Sequence, residues 1–345
     1  MRTRLSFAAL LSFALTLMAG AQTPGYTMSP QSGSASGGTL VTLHVPNAAV
    51  VSSVYFGSVL VGATRVDSTT LATLTPAQLP GSATGTVPVK LWVFGASVST
   101  GLTFTYDNDA ELVFERLLLP VFTPPVTGAF GSEFRTDFRA SLVHGDSANI
   151  FGLARQCVIL CVEGPDIPHS LTPEFPELDV TRIEPVGTPG QFIYVPREEL
   201  GRAAMNLRAY DTSRAAQNFG TEIPIVREGD FFSSSETLAL VGIPSDPRFR
   251  KTLRVYGAGQ YGAGLVVSIE GNGVKTDHSI SVPPSSPTHP GYVELSSFPT
   301  GTGYLTVTIY NPVPHGIVPA SEIWAFVSVT NNETQHITTI TPQPR

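Results

Sequence analysis

Apolar and polar residues alternate with a period of two along most of this chain, and three phrases show the alternation most clearly. NLRAYD from Asn206, TLRVYG from Thr252 and YLTVTIYN from Tyr304 each interleave apolar with polar or basic positions and carry a tyrosine near the end. That is the signature of a strand with one face buried and one face wet. The same reading places strands at 39–45, 52–56, 59–66, 70–75, 86–94 and 101–106, divided by SGSASGG, PNAA, FGS, PAQLPGSATG and GAS. Short strands at this spacing predict a β-sandwich.

From Leu112 the chain reads LVFERLLLPVF, a dense apolar strand, and then EFRTDFRA, in which Phe134, Thr136 and Phe138 alternate with charged residues. Residues 146–190 carry many prolines and read as a long irregular region, of a length that is usually functional or tied down. QFIYVP at 191–196 returns as a strand, and REELGRAAM at 197–205 has helical composition, enough for one or two turns. Further strands are expected at LVVSIEGNG, YVELSSF, YLTVTIYNP and EIWAFVSV. Asn331-Asn332 is expected to turn the last of these back onto HITTITP as a hairpin. GAGQYGAG at 257–264 lies between two strands, so it is read as a hairpin loop; a phosphate cradle needs a helix after its glycines.

The fold class is therefore all-β. Boundaries are expected at 22–107, 112–235 and 236–343, the last two forming either two β-sandwich units or one domain. The LRxY echo at 207–210 and 253–256 fits a repeated unit, although its flanks do not repeat.

Composition supports this. Among 345 residues there are 32 glycines and 29 prolines while only 14% are charged, which suits strands and tight turns better than long surface helices. The formal net charge of −7 comes with no basic stripe, so nucleic acid is excluded as a partner. Residues 1–21, MRTRLSFAALLSFALTLMAGA, have two arginines, an apolar run and small residues before Gln22. This is the form of a cleavable secretory signal, and the run is shorter than the roughly 20 apolar residues of a membrane span. No cysteine stands at the cleavage point for lipid attachment. The mature chain is expected to be secreted or periplasmic, with no span.

Residues 26–106 resemble the IPT/TIG family of immunoglobulin-like domains. The resemblance rests on the order SP, GSASGGT, VT, VYFG, TTLATLTPAQLP and a closing TFTY. It implies an Ig-like sandwich in which Gly37-Gly38 lies between the first two strands and Phe56-Gly57 ends a strand before a hairpin. Modules of this kind serve as spacers and as oligomerising or adhesive units. The C-terminal region, with LLLPVF, GAFGSEFRTDF, GIPSDPRFRKTLRVY and WAFVSVTNNETQH, is similar to secreted bacterial β-proteins with no assigned activity.

Candidate chemistry is sparse. Cys157 and Cys161 suit an oxidising compartment, but four residues apart in a straight strand they would lie about 13 Å apart, beyond the reach of a disulfide. A structural disulfide closing a small loop is favoured over two buried thiols or a metal pair. The acidic link DNDAE at 107–111 offers Asp107, Asp109 and Glu111 as oxygen ligands for Ca²⁺. Five residues fix no coordination sphere, and a solvated hinge accounts for them more simply.

A glycosidase needs two carboxylates that face each other. Glu222, Glu228 and Asp230 are candidates, but Glu222 and Glu228 lie about 20 Å apart along a strand. No G-x-S-x-G elbow or paired-histidine motif occurs, and Asp277-His278 reads as a turn tip. Arg248, Arg250, Lys251 and Arg254 would suit an acidic polymer, yet beside Asp246 they read as an exposed face with local ion pairs. Phe249, Tyr256 and Tyr261 would stack on sugar rings if they stood in a row.

The function expected is that of an exported, non-catalytic binding or adhesion-type protein that recognises an extracellular polysaccharide or protein surface. The alternatives are a polymer-degrading enzyme with a carboxylate site in the C-terminal region and a ligand-free envelope spacer.

Overall fold

The computed structural model describes residues 25–80, 85–107, 113–153, 168–180, 189–213, 220–313 and 321–342. The segment expected to be a secretory signal and the cysteine pair lie outside them. The chain is all-β and forms two compact units, one of Met1–Ala77 with Ala83–Asn108 and the other of Gln78–Ser82 with Asp109–Arg345.

In the first unit the strands are β1 (Thr27–Ser29), β2 (Ser32–Gly33), β3 (Leu40–His44), β4 (Val51–Phe56), β5 (Val59–Gly62), β6 (Thr64–Arg65), β7 (Thr70–Leu74), β8 (Thr86–Val93) and β9 (Ala96–Tyr106). They form a sheet in the order β1-β3-β7-β6 and a second in the order β2-β9-β8-β4-β5. Alternate residues point inward: Val41, Leu43, Val54, Phe56, Leu71 and Phe104 are all buried. The Phe104 ring meets Phe56 and Tyr106 edge-on at 5.5 and 5.1 Å. Gly37 and Gly38 both hold positive φ between β2 and β3, and Gly57 turns β4 into β5. The last strand starts earlier than the GAS spacer suggested. Phe94 and Gly95 make a tight turn at φ 48° and 83°, so residues 96–99 pair with β8 instead of forming a loop, and the register shifts at Thr100 and Gly101.

The second unit continues with β10 (Phe114–Leu119), β11 (Val126–Thr127), β12 (Glu133–Leu142), β13 (Ala148–Ile150), β14 (His169–Leu171), β15 (Glu177–Val180), β16 (Gln191–Pro196), β17 (Ala203–Asp211), β18 (Thr221–Ile223) and β19 (Val226–Arg227). After them come β20 (Phe232–Ser233), β21 (Leu238–Pro244), β22 (Phe249–Gly257), β23 (Ala263–Gly271), β24 (Val274–Val282), β25 (Gly291–Leu295), β26 (Tyr304–Tyr310), β27 (Glu322–Asn331) and β28 (Ile337–Ile340).

Two cores fill this unit. Leu117, Phe138, Ile150, Ile193, Leu207 and Ile223 belong to one. The other lies between the sheet β20-β27-β22-β25, which β28 joins through β27, and the sheet β21-β26-β23-β24. Leu253, Val255, Val267, Val307, Ile323 and Val327 fill it.

The three-stranded sheet β16-β10-β19 is apolar on both faces. Leu117, Leu119, Ile193 and Val195 point into the first core. Phe114, Arg116, Leu118, Phe192 and Tyr194 alternate with them, so pleating turns them the other way. From that side Arg116 donates to the Ala258 carbonyl at 2.9 Å and the Tyr194 hydroxyl donates to the Pro287 carbonyl, while along the outer edge of β16 the Phe192 amide donates to the Thr288 carbonyl at 2.9 Å. Burial pushes the Tyr194 hydroxyl up to about 12.

Several local expectations are corrected. The helical stretch is a 3-10 helix over Arg197–Arg202 only; Ala203 already begins β17, because its partner β12 claims the backbone from Leu142 onward. The proline-rich region holds β13, β14 and β15 among its described residues. The 257–264 segment is no hairpin: β22 and β23 lie in different sheets, so it crosses the sandwich. Asp277 and His278 sit inside β24, paired with Ser268 and Val267; the turn falls at Asn272 and Gly273, both with positive φ. The closing hairpin does form, with Thr330 opposite Ile337, through a longer loop in which Asn331 Oδ1 accepts the Glu333 and Thr334 amides.

Candidate functional site

A cavity of about 610 Å³ opens within the second unit. Its floor is the face of β22, β25 and β27 turned away from the sandwich core. Pleating sends Leu253 and Val255 into the core and Arg250, Thr252 and Arg254 into the cavity. Register brings Thr330, Ser328 and Phe326 of β27 beside them in that order. On β25, Glu294 stands opposite Arg254 and Tyr292 opposite Tyr256. Phe134 and Thr136 of β12, Ala209, Ile223 and the segment from Val121 to Gly128 complete the lining.

Tyr256 packs behind the lining residues Tyr292 and Phe326. It is fully buried, its hydroxyl accepts the Val121 amide at 3.1 Å, and its ring lies parallel to Phe326 at 6.4 Å and tilted against Tyr292 at 5.3 Å. Burial pushes the Tyr256 and Tyr292 hydroxyls far above their usual range, so both act as neutral groups. The Tyr292 hydroxyl donates to Glu294 Oε2 at 2.7 Å.

The cations differ sharply. Arg248 is ion-paired with Asp246 at 2.7 Å, and the Lys251 ammonium donates to the Ser245 and Asp246 carbonyls. Arg135 pairs with Asp137 at 3.1 Å, which raises the Arg135 pKa. Arg250 donates to Asn332 Oδ1 at 3.1 Å and Gln335 Oε1 at 2.7 Å, and its guanidinium lies 5.4 Å from the centre of the Phe130 ring. Arg254 donates to Ser328 Oγ at 2.6 Å and lies 5.9 Å from the Phe326 ring centre. Of the four basic residues expected on an exposed, ion-paired face, only Arg248 is in that position. The register of β22 turns Arg250 and Arg254 into the cavity.

The proposed stacking aromatics do not form a row. Phe249 lines the cavity, Tyr256 is closed off from solvent by the packing around Val121, and Tyr261 is 54% exposed in the crossing segment before β23. The rings that do line the cavity include Tyr292, Phe298 and Phe326. The sequence carried a signal for one of them, Phe326. In EIWAFVSV both alternating sets are apolar, Ile323 and Ala325 as well as Trp324 and Phe326, which marks a strand covered on both faces.

The candidate carboxylates are dispersed. Glu222 is exposed on β18 opposite Arg208, and Asp230 is exposed. Glu228 pairs with Arg116 at 3.3 Å and Arg197 at 3.2 Å; burial raises its pKa, against the pull of Arg116. Glu322 holds Arg116 at 2.9 Å, and Glu115 pairs with Arg197 and, at 3.3 Å, with Arg227. These are three carboxylates joined by three arginines.

Of the calcium candidates, only Asp107 lies among the described residues, where its amide donates to the Gly33 carbonyl at 2.9 Å; Asp109 and Glu111 lie outside them. Among the described residues, no three His, Cys, Asp or Glu side chains are grouped to hold a metal, and no helix is long and apolar enough to cross a membrane.

The two-sheet first unit, with paired positive-φ glycines at its second turn, agrees with the family comparison. Residues 26–106 match the IPT/TIG domain. The IPT/TIG match thus covers the whole of the first sandwich, from β1 to β9. No curated protein matches the chain.

Solved structures that are similar include SGBP-B of the mixed-linkage glucan utilization locus of Bacteroides ovatus, in complex with a mixed-linkage heptasaccharide. It is 12% identical, with 81% of this chain and 72% of that chain covered and a TM-score of 0.19. Another is SGBP-B from a complex xyloglucan utilization locus in Bacteroides uniformis, 14% identical, covering 91% and 72%, with a TM-score of 0.17.

Proposed function

We propose that this chain is an exported, non-catalytic binding protein whose C-terminal unit recognises an extracellular polysaccharide in the cavity above β22, β25 and β27. The cavity carries the reading. Its volume falls in the range of ligand sites, and it combines aromatic rings with hydroxyls of Thr252, Ser296, Ser328 and Thr330. Rings offer flat apolar faces and hydroxyls offer directed hydrogen bonds, the two contacts a sugar ring needs.

Among the described residues Glu294 is the one carboxylate in the lining, whereas glycoside hydrolysis uses two. The cavity floor is also a sheet face whose backbone groups are spent on the ladder, so side chains must do the recognising. An added peptide strand would need a free edge. The IPT/TIG domain is read as a spacer that presents this unit.

The test is a survey of residues 22–345 on soluble and insoluble polysaccharides, with and without calcium, while assaying for released sugars. Binding without products is the expected result. Ser328→Trp, which fills the cavity, should abolish it. Released oligosaccharide would overturn the non-catalytic reading, and binding that survives Ser328→Trp would move the site elsewhere.

A further inference from the structure

Among the described residues the cavity lining carries four cations, Arg135, Arg250, Lys251 and Arg254, against the single carboxylate of Glu294, in a chain of formal charge −7. Two of the four are committed, Arg135 to Asp137 and Lys251 to backbone carbonyls. Arg250 and Arg254 are not. Among the described residues their partners are an asparagine, a glutamine and a serine. A guanidinium has five N–H donors, of which Arg250 spends two and Arg254 one. The neutral partners brace each head group without cancelling its charge. Partial burial makes that charge costly to leave unanswered, which also shows as a lowered Arg250 pKa.

We propose that the cavity is built for an anionic polysaccharide, with Arg250 and Arg254 each receiving a carboxylate or sulfate carried on the sugar chain. The inference rests on the reading of the cavity as the glycan site and names its substrate class.

Arg250 and Arg254 lie about 13 Å apart along the strand, with Thr252 between them and Ser328 beside it. The row therefore alternates a site for charge, hydroxyls for sugar oxygens and a second site for charge. Planar, bidentate donors of this kind suit carboxylate and sulfate groups. Glu294 faces Arg254 across the β22–β25 pair and keeps its charge while its Oε2 accepts from the Tyr292 hydroxyl. Among the described residues it forms no ion pair with either arginine, and one carboxylate offsets two guanidinium groups only in part. The overall negative charge of the protein works against indiscriminate attraction of polyanions, so binding would have to be local to the cavity.

The test uses residues 22–345 with matched probes: dextran sulfate against dextran, polygalacturonate against a neutral β-glucan, and poly-glutamate as a peptide control. One anionic polysaccharide at least should bind tenfold or more above its neutral counterpart and above poly-glutamate. Arg250→Gln with Arg254→Gln should remove at least tenfold of that preference. Thr252→Glu, which leaves both arginines in place but sets a carboxylate between them, should do the same, with unfolding curves checking that each variant is folded.

Equal binding of neutral and anionic polymers, blocked by Ser328→Trp, would overturn the anionic assignment while leaving the glycan site standing. Anionic binding unchanged in the arginine and Thr252→Glu variants would overturn it as well. Preference for poly-glutamate would replace it with an acidic peptide, and silence on every polymer would remove both the inference and the glycan reading.

Discussion

At the residue scale, two adjacent glycines answer different demands. Gly37 and Gly38 both sit at positive φ, but a Cβ on Gly37 would come within 2.6–2.9 Å of the Pro76 and Ala77 backbone, whereas a Cβ on Gly38 meets nothing within 4 Å. Gly38→Ala should therefore cost only the left-handed conformation, about 1 kcal/mol. Gly37→Ala should cost about 3 kcal/mol or more, since backbone must move as well. Chemical denaturation of the two variants checks the order, and equal losses would refute the close approach.

Arg116 makes a second residue-scale case. Its side chain is 17% exposed and serves Glu228, Glu322 and the Ala258 carbonyl while lying over the Phe192 ring at 4.9 Å. Its two carboxylate partners are partly solvated, at 33% and 47%, which keeps the loss below that of a fully buried pair. Arg116→Met should cost about 2 kcal/mol, measured by the same denaturation.

At the element scale, the segment from Val282 to Pro290 is a strap, and its charge state should set its hold. Thr288 and Pro287 accept from Phe192 and Tyr194 of β16, and the next residue is His289. Burial holds the His289 pKa below 6.5. Its neutral form is thus favoured by folding, and the stability it contributes is full above about pH 6.5 and lost as pH falls through the lower folded value. Glu228, raised by burial, acts in the opposite sense and gains as pH falls. Asp67 and Asp246, both held low by hydrogen bonds, act only below the usual carboxylate range. The melting temperature should therefore drop between pH 7 and pH 5, and His289→Gln should flatten that drop. An unchanged slope would show that His289 does not govern the strap.

Elements were the most legible part of the chain, for reasons that also explain the misses. LRAY and LRVY are both central strands with leucine directed into a core, as the alternation required. Their tyrosines part company, since Tyr256 is covered by a second layer while Tyr210 is only half buried. Period-two alternation identifies a strand and its two faces but does not say what covers each face. The cavity therefore stayed hidden. Its residues come from β12, β17, β18, β22, β25 and β27, and no single stretch shows that Arg254, Glu294 and Phe326 lie side by side. The 257–264 segment departs from the expected hairpin for a related reason: glycines mark a change of direction equally well within one sheet or between two.

At the scale of the molecule, the two cores of the C-terminal unit should not stand apart. Tyr256, on the second-half strand β22, is fully buried because first-half groups close over it: the Val121 amide donates to its hydroxyl, and Gly190 packs so near that a Cβ there would lie 3.0 Å from its ring. Trp324 is 6.1 Å from that ring and 5% exposed. In the other direction, the Thr221 hydroxyl donates to the Ile337 carbonyl, and Ile337 packs on the first core. A fragment of residues 236–345 would keep its inner sandwich core but leave Tyr256, Tyr292, Trp324 and Phe326 facing water, an apolar patch that isolated soluble domains rarely expose.

We therefore expect that fragment to show red-shifted emission from Trp324, its only tryptophan, and to bind a hydrophobic dye. Adding residues 109–235 should reverse both. In the full chain, residues 109–345 should unfold in one transition. Native-like emission and an independent, cooperative melt from 236–345 alone would instead mean that each half is a complete domain and that the cavity between them is assembled by docking.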